Sequence, residues 1–332
     1  MVYPYCSCYS LYSAHSIHCI FIKENQIMPG AVCLLQSWDA NFLQIWFTLS
    51  GLSLITLVMF SGISFYYLYG KPTYEIWQYK INAQYPSTEK VKEEIIVMLQ
   101  GLVFSTICPA LSLYLSRIGL AKGYCGVEPF GYDWLFISFL IVWLFSDFYE
   151  FFYHWCGHYF ASMWTMHKGH HAFYNPTPFA VIADSPIDQF FRAAPLLFFP
   201  MLMPVNMDMI FTLYSVVFYF NGLIQHSGHE LKAIDGHNKY ILTSYHHYLH
   251  HARSTVHHPF YNGQLFQVWD NFFSSTYSGP CLCSKCCREK GERSLELWKK
   301  TIKPDYSVLM NISFWMSSST STYSASGSQK AM

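Results

Sequence analysis

Long apolar runs separated by short polar loops organise this chain. The stretch from Phe42 to Tyr69 carries no charged residue and exceeds the roughly 20 residues a helix needs to cross a bilayer's hydrocarbon core. Three further apolar stretches follow, Ile95 to Leu115, Trp134 to about Tyr153, and Ala193 to Leu223. The last is interrupted at Pro200, Pro204 and Asn206, and each half is short for a full span. Two crossings, a tilted hairpin and a pair of re-entrant helices all remain open there, and each returns the chain to the side it left. The pattern predicts an all-α, polytopic bundle of membrane helices.

Composition strengthens that reading. Only 12% of the 332 residues are charged and 52% are hydrophobic, too little charge to cover a soluble domain. The first forty residues lack a basic stretch leading into an apolar core and cleavage site, so they are not read as a removable signal peptide. Lys71, Lys80, Lys90 and Lys92 follow the first span, against Lys23 before it and Arg117 and Lys122 after the second. The positive-inside rule therefore puts the first loop in the cytosol. Counting onward, the segments after the third and final spans lie on the same side, as does the basic stretch from Lys285 to Lys303. The expected organisation is an N-terminal segment (1–41), two helices with loops (42–132), a catalytic domain (133–280), and a Cys-rich, basic segment with a Ser-rich disordered tail (281–332).

Sixteen histidines change the picture, because most are clustered. His154 and His158 form an H-x-x-x-H pair at the end of a helix, so both project from one face. His167/His170/His171 and His247/His250/His251 repeat one form, H-x-x-H-H. Its first two members lie about one helical turn apart and are expected to share an ion, with the third reaching another. Together with His226 these make nine ligand candidates for two metals, all on the cytosolic face. Isolated His15, His18 and His237 read as packed side chains, and His246, His257 and His258 as supporting or incidental.

Asp147, Glu150, Asp184, His229, Glu230 and Asp270 are candidates to orient the ligand rings through their second nitrogen; no catalytic residue is expected beyond the metal site. Cys281, Cys283, Cys286 and Cys287 form C-x-C-x-x-C-C, open to three readings: a zinc knuckle of unusual spacing, reversible acylation, or unmodified thiols.

The ordered set H-W-C-G-H, H-K-G-H-H, His226 with S-G-H-E, H-H-Y-L-H-H and Y-N-G-Q-L-F-Q-V-W-D, between Asp133 and Tyr277, resembles the fatty acid hydroxylase/sterol desaturase superfamily. Pro176-Thr177-Pro178, Pro186-Ile187-Asp188 and Tyr261-Asn262-Gly263-Gln264 are most similar to C-5 sterol desaturases of the lathosterol oxidase type. His226-Ser227-Gly228 and the run from His246 to His251 look equally like C-4 methylsterol oxidases and sterol side-chain hydroxylases. The resemblance implies an oxidoreductase of the endoplasmic reticulum membrane with two non-heme iron ions, which uses dioxygen and two electrons to attack an unactivated C–H bond of a sterol or other lipid. No His-Pro-Gly-Gly or G-x-G-x-x-G segment accompanies the boxes. Electrons are therefore expected from separate proteins, for which the resemblance implies cytochrome b5 and its NAD(P)H-dependent reductase; nucleic acid is not an expected partner. The rival from another class is a membrane metal transporter, which would favour ionisable residues within several spans and repeated halves.

Overall fold

The computed structural model describes residues 31–128 and 130–316. His15, His18 and the Ser-rich tail lie outside the described residues. The fold is helical, with four helices long and apolar enough to cross a membrane: Phe42–Gly70, Thr88–Arg117, Gly131–Tyr159 and Met207–His226. Helix α1 (Phe42–Phe65) opens on a reciprocal cap in which the side chains of Asn41 and Gln44 bond each other's backbone N–H, and it closes on a π turn reaching Gly70. Ser87 caps α2 (Thr88–Ser105), which gives way to α3 (Ile107–Arg117). The break has a cause, since Pro109 has no N–H to give the Ser105 carbonyl.

Helix α4 (Gly131–Tyr159) runs without interruption through His154 and His158, six residues beyond the expected end of the apolar stretch. A short helix, α5 (Ala161–His167), turns the chain back over the bundle. Then α6 (Pro186–Arg192) and α7 (Pro195–Leu202) lead away again, each with proline in its first turn, where the missing N–H costs nothing.

The apolar stretch at 193–223, open in the sequence to two crossings, a tilted hairpin or re-entrant helices, makes a full return. The backbone N–H groups of Lys122 and Val205 bond the carbonyls of Pro200 and Lys122. Strand β1 (Gly123–Tyr124) pairs in parallel with β2 (Val205–Asn206). The tip after α7 therefore reaches the end of the bundle opposite the histidines. From there α8 (Met207–Thr212), a π turn and α9 (Tyr219–His226) form one continuous rod, so this half is not short, as expected, but long enough to cross. Cys33 and Cys125 form a disulfide at the same distal end.

Two apolar cores hold the helices together. Ile45, Leu49, Leu113, Val142, Phe199 and Ile210 fill the distal one, and Leu57, Phe65, Met98, Leu102, Phe179 and Ala180 fill the one beneath the histidines. Phe47, Ile55, Phe136 and Leu144 point outward and are exposed, as lipid-facing side chains are. The chain is a membrane protein.

Candidate metal centre

Helical spacing brings the histidines to one end of the bundle, and the folding of the chain sorts them. His154, His158, His167, His171 and His250 form one group, and His170, His226, His247 and His251 the other. Sequence spacing suggests that the first two members of each H-x-x-H-H box share an ion; the structure corrects this. In each box the outer two, four residues apart, stay together, while the middle one joins the other group. The reason is angular: on a helix, positions i and i+4 differ by about 40° and i and i+3 by about 60° to the other side. The middle ring of α10 (Ser244–Arg253) is thus turned toward α4; in the other box, which leaves α5 at His167 and continues as a 3-10 turn from His170, the middle ring lies against His226 of α9.

Within each group ring nitrogens converge. Nε2 of His167 lies 2.9 Å from that of His154 and 3.1 Å from that of His171. Nε2 of His226 lies 3.3 Å from that of His170 and 2.8 Å from that of His247, itself 3.1 Å from that of His251. Several of these rings commit their only proton elsewhere. Nδ1 of His154 donates to the Asn262 carbonyl at 3.0 Å, that of His226 to Gly222 at 2.8 Å, and that of His250 to Phe260 at 2.6 Å. In a neutral imidazole the Nε2 left over is a bare acceptor. Neighbouring Nε2 atoms of His154 and His226 therefore face their partners with lone pairs, an arrangement that a cation between them relieves.

The distances fit that role. Two nitrogens about 2.1 Å from one metal, at right angles, sit about 3.0 Å apart. Nε2 of His250 and both ring nitrogens of His158 are buried without a hydrogen-bond partner, which leaves them free to ligate. Burial, and then the neighbouring imidazoles, hold His171, His247 and His251 well below the ordinary value for histidine, which favours the neutral form of these three rings that metal binding requires.

Two carboxylates touch the rings. Asp188 on α6 accepts from Nδ1 of His167 at 2.9 Å, and Asp184 Oδ1 lies 3.2 Å from Nδ1 of His170. Arg192 binds Glu150 and approaches both aspartates at 3.8 and 3.9 Å. Asp184 was legible among the orienting candidates; Asp188 was not. Its signal was the spacing Asp184, Asp188, Arg192, one helical turn at a time, after the Ser185-Pro186 helix start.

The remaining candidates are corrected. Asp147 holds no ring: it accepts from the Leu265 N–H at 2.8 Å and the Trp269 indole at 2.7 Å. Glu150 reaches the histidines only through Arg192. Asp270 accepts from the N–H groups of Asn262 and Gly263 at 2.8 and 3.1 Å, so it acts on His154 only through the Asn262 loop. Glu230 accepts from the Ser284 N–H, away from the ligand rings. His229 bonds the Ser227 carbonyl and packs edge-on against Tyr69, and His246 caps α10 through Thr243.

An apolar cavity of about 370 Å³ ends at this centre. Leu49, Leu57, Leu102, Leu196, Phe211 and Phe218 line its apolar length, and His154, His170, His226 and His247 close its polar end with Glu150, Asp184 and Arg192. A mostly apolar site with a few convergent polar groups suits a hydrophobic ligand of that size class.

Residues 139–275, the histidine-bearing segment, match the fatty acid hydroxylase family. The chain is 30% identical over 154 residues to a Delta(7)-sterol 5(6)-desaturase of Gibberella zeae, a match covering 46% of this chain and 45% of that protein. It is 27% identical over 241 residues to a Delta(7)-sterol 5(6)-desaturase of Aspergillus fumigatus, covering 66% and 70%. Over 219 residues it is 27% identical to the lathosterol oxidase of Mus musculus, covering 64% and 68%. No solved structure matches.

Proposed function

We propose that this chain is a membrane oxidoreductase of the sterol desaturase type, which holds two non-heme iron ions in its two histidine groups and introduces the C-5(6) double bond into a sterol. The observation that carries this reading is the convergence of nine imidazoles, in sets of five and four, at the end of an apolar cavity open to the membrane helices. Relatives named for sterol 5(6)-desaturation and lathosterol oxidation support the substrate class.

The iron, when bound, supplies the redox chemistry with dioxygen that removing hydrogens from an unactivated C–H bond requires. The protein does the rest. Leu49, Leu57, Leu102 and Phe218 hold the apolar ring system and exclude water. Asp188 and the carbonyls of Ala183, Asn262, Gly222 and Phe260 keep the protons of their histidines on Nδ1, so that Nε2 stays aimed inward. The Glu150–Arg192 pair closes the polar wall beside them without placing an unpaired charge in the cavity.

In this reading the site faces the cytosol in the endoplasmic reticulum membrane, and cytochrome b5 with its NAD(P)H-dependent reductase delivers the electrons. The Cys33–Cys125 disulfide at the opposite end supports that orientation, because disulfides persist in oxidising compartments and are rare in the cytosol. The test is complementation of cells lacking a sterol desaturase or a methylsterol oxidase, with sterols profiled by mass spectrometry. A new C-5 double bond is expected. A C-4 oxidised methyl group or a side-chain alcohol would assign another hydroxylase reaction of the same family, and a change in cellular metal alone would favour a transporter.

A further inference from the structure

A second cluster of metal-ligating side chains shares no residue with the nine histidines. His237, read in the sequence as an isolated packed side chain, meets Cys281, Cys283 and Cys286. Its Nε2 lies 3.1 Å from Sγ of Cys281, 3.7 Å from that of Cys283 and 3.9 Å from that of Cys286. In a tetrahedral zinc site, with Zn–S near 2.3 Å and Zn–N near 2.1 Å, nitrogen and sulfur ligands lie about 3.6 Å apart. The three sulfurs bracket that separation.

The surroundings favour ligating thiolates. The backbone N–H of Cys283 donates to Sγ of Cys281 at 3.4 Å, and that of Cys286 to Sγ of Cys283 at 3.3 Å. The Tyr245 hydroxyl donates to Cys281 at 3.4 Å. Donors aimed at sulfur stabilise its charged form. On the other side of the imidazole, Oδ1 of Asp235 lies 3.4 Å from Nδ1 of His237, the carboxylate–histidine arrangement that orients a metal ligand. Cys287 stands apart, with its thiol toward the Leu282 carbonyl.

We propose that His237, Cys281, Cys283 and Cys286 bind one structural zinc ion that clamps the segment after residue 280 onto the loop preceding α10. Four protein ligands close the coordination shell, so the site is structural rather than catalytic. What it clamps is specific. Tyr245 on α10 accepts from the Leu282 N–H at 3.1 Å, and Glu230 accepts from the Ser284 N–H at 2.6 Å. The ion thus ties the Cys-rich segment and its helix α11 (Ser284–Glu289) to the stretch between His226 and His247.

The experiment is metal analysis of the full-length protein purified in detergent. About one zinc per chain is expected, retained in Cys287→Ser and His237→Cys and lost in Cys283→Ser and His237→Ala, while iron content does not change. Because Cys283→Ser could misfold, cobalt-loaded protein gives a second readout: among the described metal-ligating clusters only this one contains sulfur, so a sulfur-to-cobalt charge-transfer band is expected in wild type. Equal zinc in wild type and Cys283→Ser, or cobalt-loaded wild type without that band, would overturn the proposal.

Discussion

Nδ1 of His154 and the carbonyl oxygen of Asn262 lie 3.0 Å apart, joining the first histidine box to a loop 108 residues further along the chain. That carbonyl is held in place by Asp270, which accepts from both N–H groups that follow Tyr261 and from the Ser275 hydroxyl at 2.6 Å. Asp270→Ala frees four donors at once, the Asn262 side-chain amide included, and releases the loop. Iron affinity is expected to fall roughly 10- to 100-fold, the usual effect of losing a partner behind a metal ligand, as measured by iron retained during chelator dialysis. Unchanged retention would show that the loop holds itself.

Asp188 bonds His167 directly and also accepts from the Tyr153 hydroxyl at 2.8 Å. Asp188→Ala should cost a similar 10- to 100-fold in iron affinity. Tyr153→Phe removes one hydrogen bond to the ionised carboxylate while that carboxylate keeps His167, so it should lower stability by about 1.5 to 3 kcal/mol and leave iron in place. The two variants, compared by iron content and thermal unfolding, separate the histidine contact from the tyrosine contact.

Gly101 on α2 faces the loop that carries Asp184. A Cβ there would sit 2.6 Å from the Ile182 carbonyl and 3.0 Å from the Gln189 side chain, and backbone cannot yield cheaply. Gly101→Val is expected to destabilise by about 1 to 3 kcal/mol, as overpacking does, and to loosen His170 through Asp184. A Tm equal to wild type in the same detergent would contradict the close approach.

The Cys33–Cys125 link closes a long loop at the distal end. Cys33→Ser should lower stability by about 2 to 4 kcal/mol without reducing iron content. In sealed microsomes whose zinc has been removed with a chelator, a membrane-impermeant thiol reagent should reach Cys281 from the cytosolic side, while Cys33 and Cys125 stay protected even after mild reduction. Labelling of Cys33 from the cytosol would reverse the orientation.

What the sequence reveals and what it hides divide along sequence distance. The apolar runs and the H-x-x-x-H and H-x-x-H-H spacings are local and helical, so the spans and the common face of the histidines can be read from the chain. The sorting of His170 and His250 into the groups opposite their neighbours cannot, because it depends on how α10 meets α4 and α9. Asp147 lies on the face that carries His154, which made it a plausible partner, yet the segment at Leu265 and Trp269 takes its carboxylate first. Asn262 and His237 act through partners far away in the chain, and nothing in their own neighbourhoods announces the contact.

The central claim is that two histidine groups hold iron that the reaction needs. The most direct measurement is iron per chain together with sterol turnover in purified wild type, in His250→Ala from the group of five, and in His247→Ala from the group of four. The account predicts about two iron ions in the wild type, less iron in each variant, and turnover abolished in both. Full turnover in protein stripped of iron, or in either variant, would contradict it.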